Sequence, residues 1–217
     1  MNIIMIGYRE WALKAFSLVN FRHIQIKSER DFELFISTKF SATMHLVFVG
    51  WSKIIPASVV NHGNCYCIHP SDLPKYRGGS PIQNQVLEGV LDTKLSLFRM
   101  NEDLDAGPVL SKTDLSLRGP ISTIFDNIAT ATVVLLDDFA NRINDAAFMK
   151  GTLQDESLAT IFRRRKPEQS EITLDELSRL DSIQLMNKIN VLGDPYPNAF
   201  IRTKDGRKLI IKTVEIE

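Results

Sequence analysis

The chain has 217 residues, 44% of them hydrophobic and 24% charged, the composition of an ordinary folded enzyme with room for one main domain and a small appendage. Lys plus Arg equals Asp plus Glu at 26 each, so the basic excess that usually marks a nucleic-acid binder is missing. Only two cysteines occur, Cys65 and Cys67, too close for an ordinary bridge; no apolar run approaches the roughly 18 residues of a membrane span, and the opening MNIIMIGYREW is too short in its apolar part for a signal peptide, so a cytoplasmic protein is expected, with no membrane or nucleic-acid partner.

Residues 1–7 read as a buried first strand ending in a Gly turn. Residues 10–19 read as a helix, with Trp11, Leu13, Ala15, Phe16 and Val19 apolar. Short apolar runs at 23–27, 46–49 and 65–68 predict further strands. Alternating with helical stretches, they imply an α/β fold with buried, mainly parallel strands. An open α/β sheet binds ligands outside the carboxyl ends of its strands. The loops after Ile6, Val49 and Ile68 are therefore the expected ligand positions.

Residues 92–100 and 108–117 predict two more strands around a loop at 101–107. A helix follows over 122–144, with Ser122 as its expected cap. The basic stretch 163–169 contains Pro167 and marks a boundary between a main domain, 1–160, and a small C-terminal subdomain, 161–217. That subdomain is expected to hold one helix over 174–191 and a hairpin turning at Lys204-Asp205-Gly206. Leu177, Leu180, Ile183, Leu185, Met186 and Ile189 give it more apolar surface than so small a unit buries alone, which predicts a homodimer through this region. No Cys/His set has zinc-ligand spacing, so no metal site is expected.

Two segments carry chemistry. The first, residues 69–81, places His69 at a strand end ahead of a loop rich in Pro and Gly. The second, residues 100–110, places Asp105 in an acidic turn just before Ala106-Gly107. A His beside a Pro is more often structural, and an Asp in such a turn is more often a turn former. Brought together at strand ends, they make an acid–base unit in which the carboxylate fixes the imidazole.

The run His69-Pro70-Ser71-Asp72-Leu73-Pro74, then Arg77-Gly78-Gly79-Ser80-Pro81-Ile82, then Leu104-Asp105-Ala106-Gly107-Pro108 resembles the three-part pattern of the folate-dependent formyltransferases. The likeness covers most of residues 1–150 and implies a Rossmann-like formyltransferase fold. It also implies 10-formyltetrahydrofolate as formyl donor and a primary amine as acceptor. His69 and Asp105 would be catalytic. Trp51, Ser52, Ile54, Ile55 and Pro56 would wall the folate pocket, with backbone groups near Asp103 and Leu104 reading the pterin edge. Arg9, Lys75, Tyr76, Arg77, Gly78, Gly79, Ser80 and Pro81 would hold the acceptor. One position departs from the pattern: the family Asn two residues before the His is Cys67 here. Strand alternation keeps Asn64 off that face, and a thiol is a weak donor. Cys67 is therefore either a packed thiol, with His69, a backbone N–H or another side chain such as Asn101 stabilising the oxyanion, or a thiolate nucleophile activated by His69.

The tail, Asp194-Pro195-Tyr196-Pro197-Asn198-Ala199-Phe200 with Arg207–Ile211, is similar to that of sugar N-formyltransferases. The chain stops before the separate C-terminal domain that tRNA-modifying members carry. The expected acceptor is thus a UDP- or dTDP-linked 4-amino-4,6-dideoxy sugar, a UDP-linked pseudaminic-acid precursor being one match. The alternatives are methionyl-tRNA, glycinamide ribonucleotide or an aminoacyl carrier as acceptor, or a binding protein disabled by Cys67.

Overall fold

A computed structural model describes residues 2–61 and 64–217. The start of the expected first strand, Met1, lies outside the described residues. In chain order the elements are β1 (Ile3–Ile6), α1 (Glu10–Leu18), β2 (Ile24–Ile26), α2 (Glu29–Thr38), β3 (His45–Val49), α3 (Ala57–Val60) and β4 (Cys65–His69). There follow β5 (Arg77–Gly78), α4 (Pro81–Leu87), β6 (Asp92–Arg99), β7 (Val109–Ser116), α5 (Ile121–Arg142) and α6 (Ala146–Lys150). The last are β8 (Ile161–Phe162), α7 (Leu174–Arg179), α8 (Ser182–Val191), β9 (Phe200–Arg202) and β10 (Lys208–Ile210).

Six strands form the central sheet in the order β2-β1-β3-β4-β6-β7. The first four are parallel, and β6 and β7 run antiparallel to their neighbours. Parallel pairing needs both faces covered, and the sequence supplies this by alternation. Ile3 and Met5 of β1 point into one core with α1 and α5, while Ile4 and Ile6 point into a second with Phe32 and Phe35 of α2. The chain leaves β1 to build β2 on one side and returns to place β3 on the other. This switch point opens a crevice at the carboxyl ends of β1, β3 and β4.

Several boundaries differ from the sequence expectation. Helix α2 was not anticipated: Ser28 caps it by accepting from the Asp31 amide, but its two buried positions, Phe32 and Phe35, are too few to stand out as a period. Ser122 does not cap α5, which begins at Ile121 behind Pro120 without a side-chain cap. The single helix expected over 174–191 is two helices. Leu180 adopts an extended conformation and ends α7. Asp181 and Gln184 then start α8 with a reciprocal capping box.

Residues beyond 160 do not form a core of their own. Ile172, Ile189, Val191, Leu192 and Ala199 join the same buried cluster as β1 and α5. Lys188 is buried there, its ammonium donating to the Glu171 carbonyl at 2.7 Å and to both Glu176 oxygens at 2.6 and 2.8 Å. Desolvation alone would raise the Glu176 carboxyl, but the Lys188 ammonium and the Thr173 amide hold it below its ordinary value. A depressed folded-state carboxyl stabilises fully above the unfolded Glu range, and that stabilisation fades as pH falls through the lowered value. Lys188→Ala leaves Glu176 half-buried and unpaired, so we expect a loss of about 3 kcal/mol at neutral pH in urea unfolding. A loss within experimental error would show that the tail does not depend on the pair.

Candidate active site

A cavity of about 1060 Å³ occupies the crevice. The loop after β3 forms one wall, with Trp51, Ser52, Ile54, Ile55 and Pro56. Asp103 and Leu104, in the turn between β6 and β7, face it. Cys67, His69 and Asp105 line the cavity, and Arg9 and residues 78–81 border it. Trp51 is fixed from behind by edge-on contacts with Tyr8 and Phe32 at 5.3 and 5.2 Å. The Tyr8 and Ser52 hydroxyls are joined by a hydrogen bond. Ile54 is 97% exposed, an aliphatic side chain held in the cavity mouth with nothing covering it.

His69 is buried at the end of β4, where strand alternation puts it on the face of Cys65 and Cys67. Its Nε2 lies 2.8 Å from the Tyr76 carbonyl and its Nδ1 3.5 Å from Asp105 Oδ2. A carbonyl can only accept, so Nε2 carries the hydrogen. Nδ1 is then the nitrogen free to take up or give a proton, and it faces a carboxylate. The same Asp105 Oδ2 accepts from the Gly78 amide at 2.8 Å. The loop after β4 therefore grips both members of the pair, through the Tyr76 carbonyl and the Gly78 amide.

That grip is strained. Tyr76, Ser80 and Asp105 have φ of 59°, 54° and 53°, conformations costing about 1–3 kcal/mol each outside glycine. A residue with no sequence motif holds Asp105 in place. Gln154 donates from Nε2 to the carbonyls of Asp105 and Gly107 at 2.9 and 2.7 Å. Its Oε1 accepts from Arg77 Nε and Nη2 at 3.1 and 2.9 Å. Arg77 is 2% exposed and makes a further two-pronged pair with Glu156 at 2.9 and 2.7 Å.

This geometry separates the sequence-predicted acceptor residues. Arg9, Gly78, Gly79, Ser80 and Pro81 reach the cavity, whereas Lys75, Tyr76 and Arg77 do not. Arg77 spends its donors on Gln154 and Glu156. Tyr76 stacks on Phe162 with ring centres 5.2 Å apart and donates to Glu88 at 2.7 Å. Burial and Glu88 push its hydroxyl up to about 12, so it stays a donor. Lys75 is exposed. In their place the structure brings up residues 163–166 and Tyr196, which sequence reasoning treated as a boundary and a tail motif. The glycines explain how. Strand β5 pairs in parallel with β8, and a Cβ on Gly79 would sit 2.3 Å from the Arg164 backbone nitrogen.

A model of the formyl transferase family matches residues 6–119 of the chain. The chain belongs to this family. A methionyl-tRNA formyltransferase from Campylobacter lari is 33% identical over 77% of the chain and 55% of its own length. The chain thus spans about half the length of the curated relatives it matches. A solved methionyl-tRNA formyltransferase from Clostridium thermocellum superposes with a TM-score of 0.74 at 28% identity, over 97% of both chains. A 4-N formyltransferase from Francisella tularensis shares the fold, with a TM-score of 0.75 at 16% identity over 100% of this chain and 98% of its own.

In this site the surroundings of Cys67 disfavour the thiolate reading. Burial, and then the Asp105 carboxylate, push the thiol well above its ordinary range. It stays protonated at neutral pH and donates weakly to the Ile68 carbonyl at 3.7 Å. Asn64 does not substitute for the missing amide, since its Nδ2 donates to Ala42 on the far side of the strand. Asn101 does line the cavity.

Two outcomes are expected. Cys67→Ala should retain formyl-transfer turnover within about threefold, because no thiolate is lost; loss of activity with the fold intact would restore the nucleophile. Gln154→Glu keeps an acceptor for Arg77 but turns acceptors onto the Asp105 and Gly107 carbonyls. A misplaced Asp105 should lower kcat by roughly 10–100-fold and shift its pH profile while leaving KM nearly unchanged. An unchanged pH profile would make Gln154 a purely structural residue.

Proposed function

We propose that this protein transfers a formyl group from 10-formyltetrahydrofolate to the 4-amino group of a nucleotide-linked amino sugar. The observation that carries the reading is the His69–Asp105 pair at the end of β4, with Nδ1 of the imidazole facing the carboxylate and both residues lining the cavity. The formyl transferase family uses 10-formyltetrahydrofolate, and the cavity suits it. Trp51, Ile54, Ile55 and Pro56 present an apolar slot for a flat ring, and Ile54 gains the cover it lacks.

In the reaction a neutral amine attacks the formyl carbon. A carbon–nitrogen bond forms, the carbonyl oxygen gathers negative charge, and the bond from carbon to the donor's nitrogen breaks. One proton leaves the attacking amine and one reaches the departing nitrogen. His69 Nδ1 accepts and returns that proton, and Asp105 steadies the imidazolium between the two events. With Cys67 in place of an amide, Asn101 is the side chain offered to the developing oxyanion; one such donor is worth about 2.7–4 kcal/mol.

The acceptor assignment rests on the tail segment around Tyr196, which contributes to the cavity wall. A second reading, methionyl-tRNA as acceptor, is favoured by the identity to tRNA-formylating relatives. Both are tested by mixing the protein with 10-formyltetrahydrofolate and either UDP-, dTDP- and GDP-linked 4-amino sugars or methionyl-tRNA, and following formyl addition by mass spectrometry. We expect a nucleotide sugar to be formylated and His69→Asn to slow turnover about 10²–10⁴-fold. Formylation of methionyl-tRNA alone would overturn the sugar reading, and near-normal turnover by His69→Asn would remove His69 from the mechanism.

A further inference from the structure

The cavity lining carries Glu102, Asp103 and Asp105 in the β6–β7 turn, Lys53 after β3, and five further cations, Arg9, Arg163, Arg164, Arg165 and Lys166. Among the described residues none of these five forms an ion pair, although fourteen ion pairs occur in the chain and Lys53 is paired with Glu29. Like charges gathered without counter-charges repel one another, so the gathering has to be enforced. Backbone bonds enforce it: Gly79 N–H donates to the Phe162 carbonyl at 2.8 Å, and Arg165 N–H donates to Ser80 Oγ at 3.0 Å.

Buried donors among the lining residues also lack acceptors. Arg165 Nη2 donates to the Gln169 carbonyl at 2.5 Å, but its buried Nε has no partner. Burial pulls its guanidinium below the ordinary range. Glu176, the carboxylate whose field reaches it, is bonded to Lys188. The Trp11 indole N–H, 6% exposed, is also buried without a partner. The Arg9 guanidinium lies over the Tyr196 ring, 5.3 Å from its centre, and both Arg9 and Arg164 act on the Tyr196 hydroxyl through their charge. Arg9 and Arg164 both act on Tyr196, whose hydroxyl also meets Gln83, and Arg165 follows Arg164 in the chain with its Nε unpartnered; the complement to three arginines lining one cavity is an anion with several acceptor oxygens.

We infer that Arg9, Arg164 and Arg165, with Tyr196 between the first two, form a diphosphate subsite that seats the acceptor by its phosphates. The inference rests on the proposed function and deepens it. The acceptor is recognised first as a nucleoside diphosphate, and its amine is then presented to His69. Arg165 is the selective member, because its half-buried fork has acceptor geometry to satisfy. Arg9 and Arg164 add charge.

Calorimetric titration of the whole chain tests this, with inorganic pyrophosphate, UDP, uridine, tetrahydrofolate and a short RNA as probes. UDP and pyrophosphate should bind and compete with each other, and uridine should not bind measurably. Arg165→Gln and Arg164→Gln should each weaken UDP binding about tenfold or more, with Arg165→Lys recovering part of the loss. Tetrahydrofolate binding should not change in any variant. Arg164 has an exposed guanidinium with no hydrogen bond or ion pair in the structure, so its replacement tests the site even if an Arg165 variant unfolds. Absence of pyrophosphate and UDP binding, unchanged UDP affinity in the Arg164 variant, or RNA binding in place of UDP binding would each overturn the subsite. Tetrahydrofolate binding without pyrophosphate binding would sink the subsite and leave formyl transfer standing. The reverse result would do the opposite.

Discussion

Burying the Arg77 guanidinium is the constraint from which the site follows. A guanidinium taken out of water has to find partners for its donors, and leaving one unpaired costs several kcal/mol. Arg77 finds them in Gln154 and Glu156, nearly eighty residues downstream. This pulls the 154–156 segment against the loop after β4 and turns the Gln154 amide onto the Asp105 carbonyl. It also lays β8 along β5. The left-handed backbone at Asp105, unfavourable alone, is thereby overdetermined from both sides, by Gln154 on its carbonyl and by the Gly78 amide on its carboxylate.

The same pairing unites two halves of the chain with different tasks. Residues up to the end of β7 supply the sheet, the apolar slot and the acid–base pair. Residues from 161 onward supply cationic side chains and Tyr196. They reach the cavity only because Gly78 and Gly79 let another backbone lie against them. The shared hydrophobic cluster, running from Ile3 to Ala199, keeps the two contributions in fixed relation.

Much of this was legible in the sequence because it was local. Strands β1, β3 and β4 show as uninterrupted apolar runs, and His69 and Asp105 sit in segments whose composition fixes a turn. Cys67 could be placed on the face of His69 by alternation alone. What escaped depends on contacts between distant segments. Gln154 is one glutamine among several until Arg77 is seen beside it. The Arg163–Lys166 run reads as a boundary because nothing local says that it faces a cavity. Arg77 itself, adjacent to the site in sequence, points away from it, because its partners lie behind the loop. Helix α7 and helix α8 merged into one expectation, although the capping residues Thr173 and Asp181 that separate them are visible in the sequence.

The chain contains two tryptophans, and both stand in the cavity wall. Trp51 belongs to the apolar slot and packs on Phe32 and Phe48; Trp11 belongs to α1, close against Arg9 and Gly50. With no indole elsewhere in the sequence, the tryptophan emission of the folded protein arises entirely from the cavity wall. The molecule therefore carries its own optical gauge of occupancy, one indole in the apolar slot and one beside Arg9, without any label added.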